Sequence, residues 1–189
     1  MKTKTIFAFI AAVSLAVMGC SCTSGKKSHS TKEEPKVLVA YFSAQGHTAA
    51  LAQKIADVTG GTLFEIAPLV PYSEADLDGW DENSRSTLEA KDRSLRPEIK
   101  NKMDDFDRYD VIYLGFPIWW YTAPTIVNTF LESYNTEGKT IIPFATSGGS
   151  GYGDTEKDLR VSAPQAIFKP GKVLNDAGEK EINDWIESL

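Results

Sequence analysis

The feature that most constrains the fold is a strand, a short loop and a helix encoded at residues 36–58. Val37–Phe42 is an apolar run rich in β-formers, which predicts a buried strand. The run ends at the polar loop Ser43–Thr48, after which Leu51, Ile55 and Val58 recur at helical spacing. A helix that begins directly after a tight loop presents its free backbone N–H groups to a ligand. The segment therefore predicts an anion site at the start of a helix.

The loop between this strand and this helix carries neutral donors. Ser43 and Thr48 supply hydroxyl groups, and Gly46 allows a ligand to approach the backbone closely. The loop contains no Lys or Arg. We therefore expect a phosphate bound here to be held by neutral donors and by the helix dipole, without a countercharge.

Two further loops of unusual composition also follow predicted strands directly. The strand Asp110–Gly115 leads into a proline-bounded aromatic loop that ends at Pro124, and aromatic rings in such a loop favour a wall for a flat ligand. The strand Lys139–Thr146 leads into a loop with four glycines in six residues, where a ligand can contact the backbone. The aromatic loop contains Pro117, Ile118, Trp119, Trp120 and Tyr121, and the glycine-rich loop begins with Thr146, Ser147, Gly148 and Gly149.

Strands and helices alternate along residues 36–189, which predicts an α/β fold with a doubly wound parallel sheet. We expect about five strands with helices on both faces, the last strand lying within 166–174 and interrupted at Pro170. The long polar segment Tyr72–Asp110 is expected to hold one or two helices and an irregular piece. In such sheets ligands bind beyond the carboxyl ends of the strands, where the strand order reverses. The three loops should therefore share one site that suits a phosphorylated, planar ring with a polar edge.

Several other chemistries are disfavoured by the sequence. No histidine follows Ser150, so the glycine-rich loop is not the nucleophile loop of a hydrolase triad, and no P-loop motif occurs. The net charge of −6 argues against nucleic acid as a partner. The aspartates at 104, 105, 107 and 110 lack the spacing of a calcium loop, which favours a solvated acidic turn over a metal site.

Taken together, these loops resemble the flavodoxin-like family, in particular its short form found among bacterial lipoproteins. The resemblance is carried by Ser-x-x-Gly-x-Thr at 43–48, by Gly-Phe-Pro-Ile-Trp-Trp at 115–120 and by Thr-Ser-Gly-Gly-Ser-Gly at 146–151. It implies FMN as cofactor and no catalytic acid or base. Gln45 and His47 stand where the family commonly has Thr and Asn. The residues that the resemblance assigns to FMN are Ser43, Ala44, Gln45, Gly46, His47 and Thr48, Pro117, Ile118, Trp119, Trp120 and Tyr121, and Thr146, Ser147, Gly148 and Gly149.

The first 35 residues have the pattern of an exported, lipid-anchored protein. Residues 1–19 combine Lys2 and Lys4 with a short apolar stretch, which is typical of a signal peptide. Gly19 directly before Cys20 resembles a lipobox and implies cleavage there and a lipid on Cys20; ordinary signal-peptide cleavage is the alternative. Residues 20–35 are polar and indicate a tether to the domain at 36–189. We expect a location in the bacterial cell envelope, with membrane contact through the lipid.

Two functions remain open at this level. The first is an FMN-binding electron carrier or quinone-type reductase, whose redox donor and acceptor the sequence does not name. The second is a non-enzymatic lipoprotein that keeps the fold and has lost FMN, and the substitutions Gln45 and His47 leave room for it.

Overall fold

The computed structural model describes residues 35–189. The predicted signal peptide 1–19, Cys20 and the predicted tether up to residue 34 lie outside the described residues. Within the described range the chain forms six β-strands and five α-helices, with the bounds β1 Val37–Tyr41, α1 His47–Thr59, β2 Thr62–Glu65, α2 Arg85–Lys91, β3 Val111–Pro117, α3 Thr125–Glu132, β4 Thr140–Thr146, α4 Thr155–Arg160, β5 Ile167–Phe168, β6 Lys172–Val173 and α5 Glu179–Glu187.

The strands form one parallel sheet in the order β2-β1-β3-β4-β5, and β6 also pairs with β4. The chain moves from β1 outward to β2 and then crosses back to β3 on the other side of β1. The strand order therefore reverses between β1 and β3, and a crevice forms beyond the carboxyl ends of these two strands. This confirms the predicted doubly wound α/β fold and fixes where its binding edge lies.

Alternate residues of the central strands build a core on each face of the sheet. Leu38, Ile112 and Phe116 pack on the face that is covered by α3 and α4, where Ile126, Phe130 and Leu159 are fully buried. Val39, Tyr113 and Phe144 pack on the other face, against α1 and α5. Each large apolar side chain that is fully buried contributes ~1.5–3 kcal/mol of transfer free energy. Both cores end at the carboxyl edge of the sheet, so the loops there rest on a rigid support.

The predicted last strand is two short strands, β5 and β6, separated at Pro170. Ile167 and Phe168 of β5 pair with the first residues of β4, whereas Lys172 and Val173 of β6 pair with Phe144 and Ala145 near its end. Proline has no N–H for a sheet ladder. A Cβ built on the next residue, Gly171, would overlap the end of the Tyr152 ring, so a larger residue here would have to displace that ring.

The element bounds next to the three loops differ from the predicted ones by one or two residues. Helix α1 begins at His47 instead of Thr48, and β3 continues to Pro117 instead of ending at Gly115. The extension occurs because Phe116 and Pro117 still pair with Ala145 and Thr146 of β4. Helix α3 spans Thr125–Glu132 and begins directly after Pro124, which has extended backbone angles and precedes the first turn.

The long segment between β2 and β3 contains α2 and two single 3-10 turns, at Ala75–Leu77 and Phe106–Arg108. Ser84 caps α2 by accepting a hydrogen bond from the Thr87 N–H. At the first 3-10 turn, the Ser73 N–H and hydroxyl donate to the Asp76 carboxylate, and the Asp76 N–H donates to the Ser73 hydroxyl. Among residues 35–189, no helix has the length and apolar character needed to cross a membrane.

Candidate functional site

The three unusual loops meet at one cavity of about 490 Å³ beyond the carboxyl ends of β1, β3 and β4. Pockets of this size are typical of small-molecule and cofactor sites. Residues far apart in the sequence thus share one wall. Sequence analysis predicted this because each loop directly follows a parallel strand. The predicted residues that line the cavity are Ser43, Ala44, Gln45, His47 and Thr48 of the first loop, Pro117, Ile118 and Trp119 of the second, and Thr146, Ser147 and Gly148 of the third.

Four of the predicted site residues lie off the cavity wall. Gly46 forms the turn into α1, and Gly149 follows the cavity-lining Gly148 with a positive φ. Trp120 and Tyr121 point outward and are 48% and 69% exposed. Of the two tryptophans, Trp119 is therefore the one placed to contact a ligand in the cavity.

The first loop delivers the start of α1 to the cavity. Gly46 precedes the helix with φ of +90°, a conformation that favours glycine, and its N–H donates to the Ser43 hydroxyl at 3.1 Å. The first intrahelical bond runs from the Ala50 N–H to the Gly46 carbonyl, which leaves the N–H groups of 47–49 without intrahelical acceptors. The first turn contains no acidic side chain. This end of α1 therefore favours an anion through its dipole and its free donors.

A buried hydrogen bond joins the first loop to the third. The Thr48 and Thr146 hydroxyl oxygens are 2.8 Å apart across 98 residues of sequence. Both residues are buried and both line the cavity. The bond holds the start of α1 at a fixed distance from the end of β4.

The second loop turns sharply directly after Trp119. The backbone groups of Trp119 and Thr122 bond to each other at 2.9 and 3.1 Å, with Trp120 and Tyr121 between them at φ of +50° and +67°. Two central residues with positive φ correspond to a type I′ turn, which normally carries Asn and Gly. Bulky residues in this conformation are strained, and such strain is concentrated at functional sites.

The third loop is fixed by a residue that the sequence reasoning did not select. The Asn175 amide accepts from the Ser147 N–H at 2.8 Å and donates to the Ser147 carbonyl at 2.7 Å. The Gly149 N–H is bonded to the Ser147 hydroxyl. Within the stretch Thr146–Gly149, Gly148 is the residue whose backbone enters no hydrogen bond.

The cavity wall also contains a cation, although the first loop has none. Lys54 of α1 lines the cavity, and its ammonium group donates to the Ala177 carbonyl at 3.0 Å. The side chain of a helical residue leans toward the N-terminus of its helix, and therefore toward the first loop. Lys54 lies four residues after Ala50, and residues at this spacing share one face of a helix. This spacing was the signal in the sequence that could have placed Lys54 on the cavity side of α1. Seven residues of the wall were not predicted: Ala50, Leu51, Lys54, Leu77, Asn175, Asp176 and Ala177.

Behind Trp119 lies an aromatic ring from the segment between β2 and β3. Tyr72 contacts Trp119 with ring centroids 5.1 Å apart and nearly perpendicular planes. Burial raises the pKa of the Tyr72 hydroxyl, and the neighbouring carboxylate of Glu89 raises it further. Tyr72 therefore remains a neutral hydrogen-bond donor at physiological pH.

The described residues bring together no group of three or more His, Cys, Asp or Glu side chains that could hold a metal ion. Of the four aspartates at 104–110, Asp105 forms an ion pair with Arg108 at 2.7 Å and Asp110 accepts from the Lys36 N–H.

Comparisons with known proteins agree with this architecture. A family model described as flavodoxin matches residues 36–189. The chain belongs to the flavodoxin family. No curated protein matches it.

Solved structures similar to this flavodoxin-family chain cover most of it. A candidate flavoprotein from Bacteroides eggerthii is 46% identical with a TM-score of 0.79, and the match covers 82% of this chain and 98% of that one. A candidate flavoprotein from Bacteroides uniformis is also 46% identical, with a TM-score of 0.78 and coverage of 81% and 98%. A flavoprotein from Lactobacillus acidophilus in complex with FMN is 25% identical with a TM-score of 0.60, and the match covers 81% of this chain and 99% of that one.

Proposed function

We propose that the protein binds FMN in the cavity of the three loops and acts in electron transfer or in quinone-type reduction of small molecules. The observation that carries the proposal is the convergence of Ser43–Thr48, Pro117–Trp119 and Thr146–Gly148 on one cavity. Membership of the flavodoxin family and similarity to a flavoprotein crystallised with FMN support the same cofactor.

The donors on the cavity wall fit the phosphate of FMN. The start of α1 supplies free N–H groups, Ser43 and Thr48 supply hydroxyls, and Lys54 adds a positive charge. A phosphate is recognised by this combination of oriented N–H groups, hydroxyls and countercharge. Gln45 and His47 also line the wall and can donate from an amide and an imidazole nitrogen.

The rest of the wall fits a planar ring with a polar edge. Trp119 and Ile118 would contact the ring face, where an aromatic neighbour stabilises more than area burial alone. Gly148 would offer its free backbone groups to the polar edge, since Asn175 already occupies the backbone groups of Ser147. Bound FMN supplies the redox chemistry, and the protein residues supply binding, orientation and exclusion of water.

We also propose that the protein is lipid-anchored through Cys20 in the bacterial cell envelope, with its redox donor and acceptor still to be identified. The lipobox-like Gly19-Cys20 pair and the apolar stretch before it support this. Mass spectrometry of the protein from the membrane fraction should find a lipidated N-terminal Cys20. A Cys20→Ala variant recovered in the membrane fraction to the same extent as wild type would overturn the anchor.

Loss of FMN binding is the second candidate, favoured by Gln45 and His47 at positions where the family commonly has Thr and Asn. A titration of the protein with FMN separates the two, because bound flavin changes its visible spectrum and its fluorescence. Saturable binding supports the first proposal. A folded protein that leaves the visible spectrum and the fluorescence of added FMN unchanged supports the second.

A further inference from the structure

A buried carboxylate lies on the far side of the aromatic wall from the cavity. Glu89 of α2 has a side chain that is 5% exposed. Its oxygens accept from the Tyr72 hydroxyl at 3.0 and 2.9 Å, and from the Arg85 guanidinium at 2.9 Å. The Thr125 hydroxyl donates to it at 3.2 Å. A buried charge with this set of donors is compensated, and it holds its donors in one arrangement.

Tyr72 is held at its ring as well as at its hydroxyl. The Arg85 guanidinium lies over the Tyr72 ring, 3.9 Å from the centroid, where a cation–π attraction operates. The same guanidinium donates to the Val70 carbonyl at 2.8 Å, two residues before Tyr72. Arg85 and Glu89 are one helical turn apart, so α2 presents both groups to one ring.

The Tyr72 ring in turn contacts two aromatic residues at the site. Its centroid is 5.1 Å from Trp119 and 5.5 Å from Phe42, and Phe42 directly precedes the first loop. Phe42 and Trp119 contact each other edge to face at 5.4 Å. Trp119 lines the cavity, whereas Tyr72, Arg85 and Glu89 do not. The cluster therefore reaches the cavity through Trp119.

Glu89 also fixes the exit of the aromatic loop. Thr125 is the first residue of α3 and lies three residues after the turn formed by Trp119 and Thr122. One carboxylate thus holds both the ring that packs behind Trp119 and the helix that follows its loop.

We propose that Glu89, Tyr72 and Arg85 form a positioning cluster that holds the Trp119 indole at one angle on the cavity wall and so sets how tightly a flavin ring packs against it. This inference rests on the FMN site proposed above. The three residues act through Trp119 and touch neither the cofactor nor a substrate.

The test uses two variants of the full chain with two matched controls. Tyr72→Phe removes the hydroxyl and keeps the ring, and Glu89→Gln removes the charge and keeps the shape. Tyr134→Phe and Glu132→Gln are the controls, since they remove a bond to the Met103 N–H and the charge that pairs with Arg96. The controls match the cluster variants in the side-chain change, although the Tyr134 hydroxyl accepts from a backbone N–H and Glu132 is more exposed than Glu89. Neither bond involves Trp119.

We expect only the two cluster variants to change the site. An aromatic contact of this kind accounts for about 2- to 10-fold in affinity, so FMN should bind weaker by that factor in Tyr72→Phe and Glu89→Gln. In the protein without flavin, near-ultraviolet circular dichroism should lose the indole band that Trp119→Phe identifies. Both controls should keep this band and the wild-type affinity.

Wild-type affinity together with an unchanged indole band in Tyr72→Phe would overturn the proposal. If Glu89→Gln does not fold, Tyr72→Phe decides alone, because it retains the ring and its contact with Arg85. If the wild-type protein does not bind FMN, the proposed function is wrong. The Trp119 indole band of the flavin-free variants would still show whether the cluster positions Trp119.

Discussion

Gly115 gives a quantitative test of how the sheet supports the site. It lies in β3, two residues before the cavity-lining Pro117, and pairs with Phe144 of β4. A Cβ built on Gly115 would lie 2.3 Å from Cζ and 2.5 Å from Cε2 of the Phe144 ring. The ring edge would have to move by about 1.1 Å to reach ordinary contact at 3.4 Å. Phe144 is fully buried, so close-packed neighbours oppose this movement.

We therefore expect Gly115→Ala to destabilise the protein near the upper end of the range for overpacked cores, by about 3 kcal/mol. For a domain of this size, that corresponds to a fall in Tm of roughly 6–12 °C. Phe144→Leu removes the colliding ring edge but leaves a small cavity, and should cost about 1–2 kcal/mol on its own. The double variant should be more stable than the sum of the two changes predicts, by about 1–2 kcal/mol.

The assay is urea unfolding of the four proteins in the double-mutant cycle, monitored by circular dichroism. A Gly115→Ala protein as stable as wild type would refute the reasoning, because the sheet would then yield at a position that we describe as rigid. Strict additivity of the two changes would also refute it, since the cost would then arise elsewhere than at the contact with Phe144.

Three further predictions follow from the site and its surroundings. Lys54→Met should weaken FMN binding about fivefold in fluorescence titrations and leave the binding of riboflavin, which has no phosphate, unchanged. Lys54→Arg, which keeps the charge, is the control, and an equal loss of affinity for both ligands in Lys54→Met would contradict a role for the Lys54 charge. Replacing Trp120 by Asn and Tyr121 by Gly should stabilise the protein by about 2 kcal/mol in thermal unfolding, because these residues suit the type I′ turn; a lower Tm would show that the aromatic pair is not strained there. The hydrogen bond from Arg96 lowers the pKa of Glu132, so the ionised carboxylate stabilises the fold fully above the pKa that Glu132 has in the unfolded chain, and this stabilisation is lost as the pH falls through its folded pKa. Glu132→Gln should therefore reduce the fall of Tm at acidic pH, and an unchanged fall would contradict this.

The convergence of the three loops was predictable because it follows from topology alone. Parallel strands place their carboxyl ends on one edge, and each loop follows a strand directly. The same argument applies to Asn175, which follows β6 and the strand predicted within 166–174, although sequence analysis did not select it as a site residue.

Contacts between distant side chains were not predictable from pattern. Lys54 reaches the Ala177 carbonyl across 123 residues, and Glu89 meets Thr125 across 36. The first pair depends on how α1 packs beside the segment after β6, and the second on how α2 packs beside α3; no periodicity encodes either arrangement. The exposure of Trp120 likewise depends on a turn with positive φ that its sequence disfavours.

The most direct test of the central claim is a visible-absorbance titration of the folded, flavin-free protein with FMN, run beside the variant Trp119→Ala. We predict saturable binding of one FMN per chain to the wild-type protein, with a shifted flavin spectrum and quenched flavin fluorescence, and weaker binding to the variant. A wild-type flavin spectrum identical to that of free FMN at every protein concentration would contradict the account.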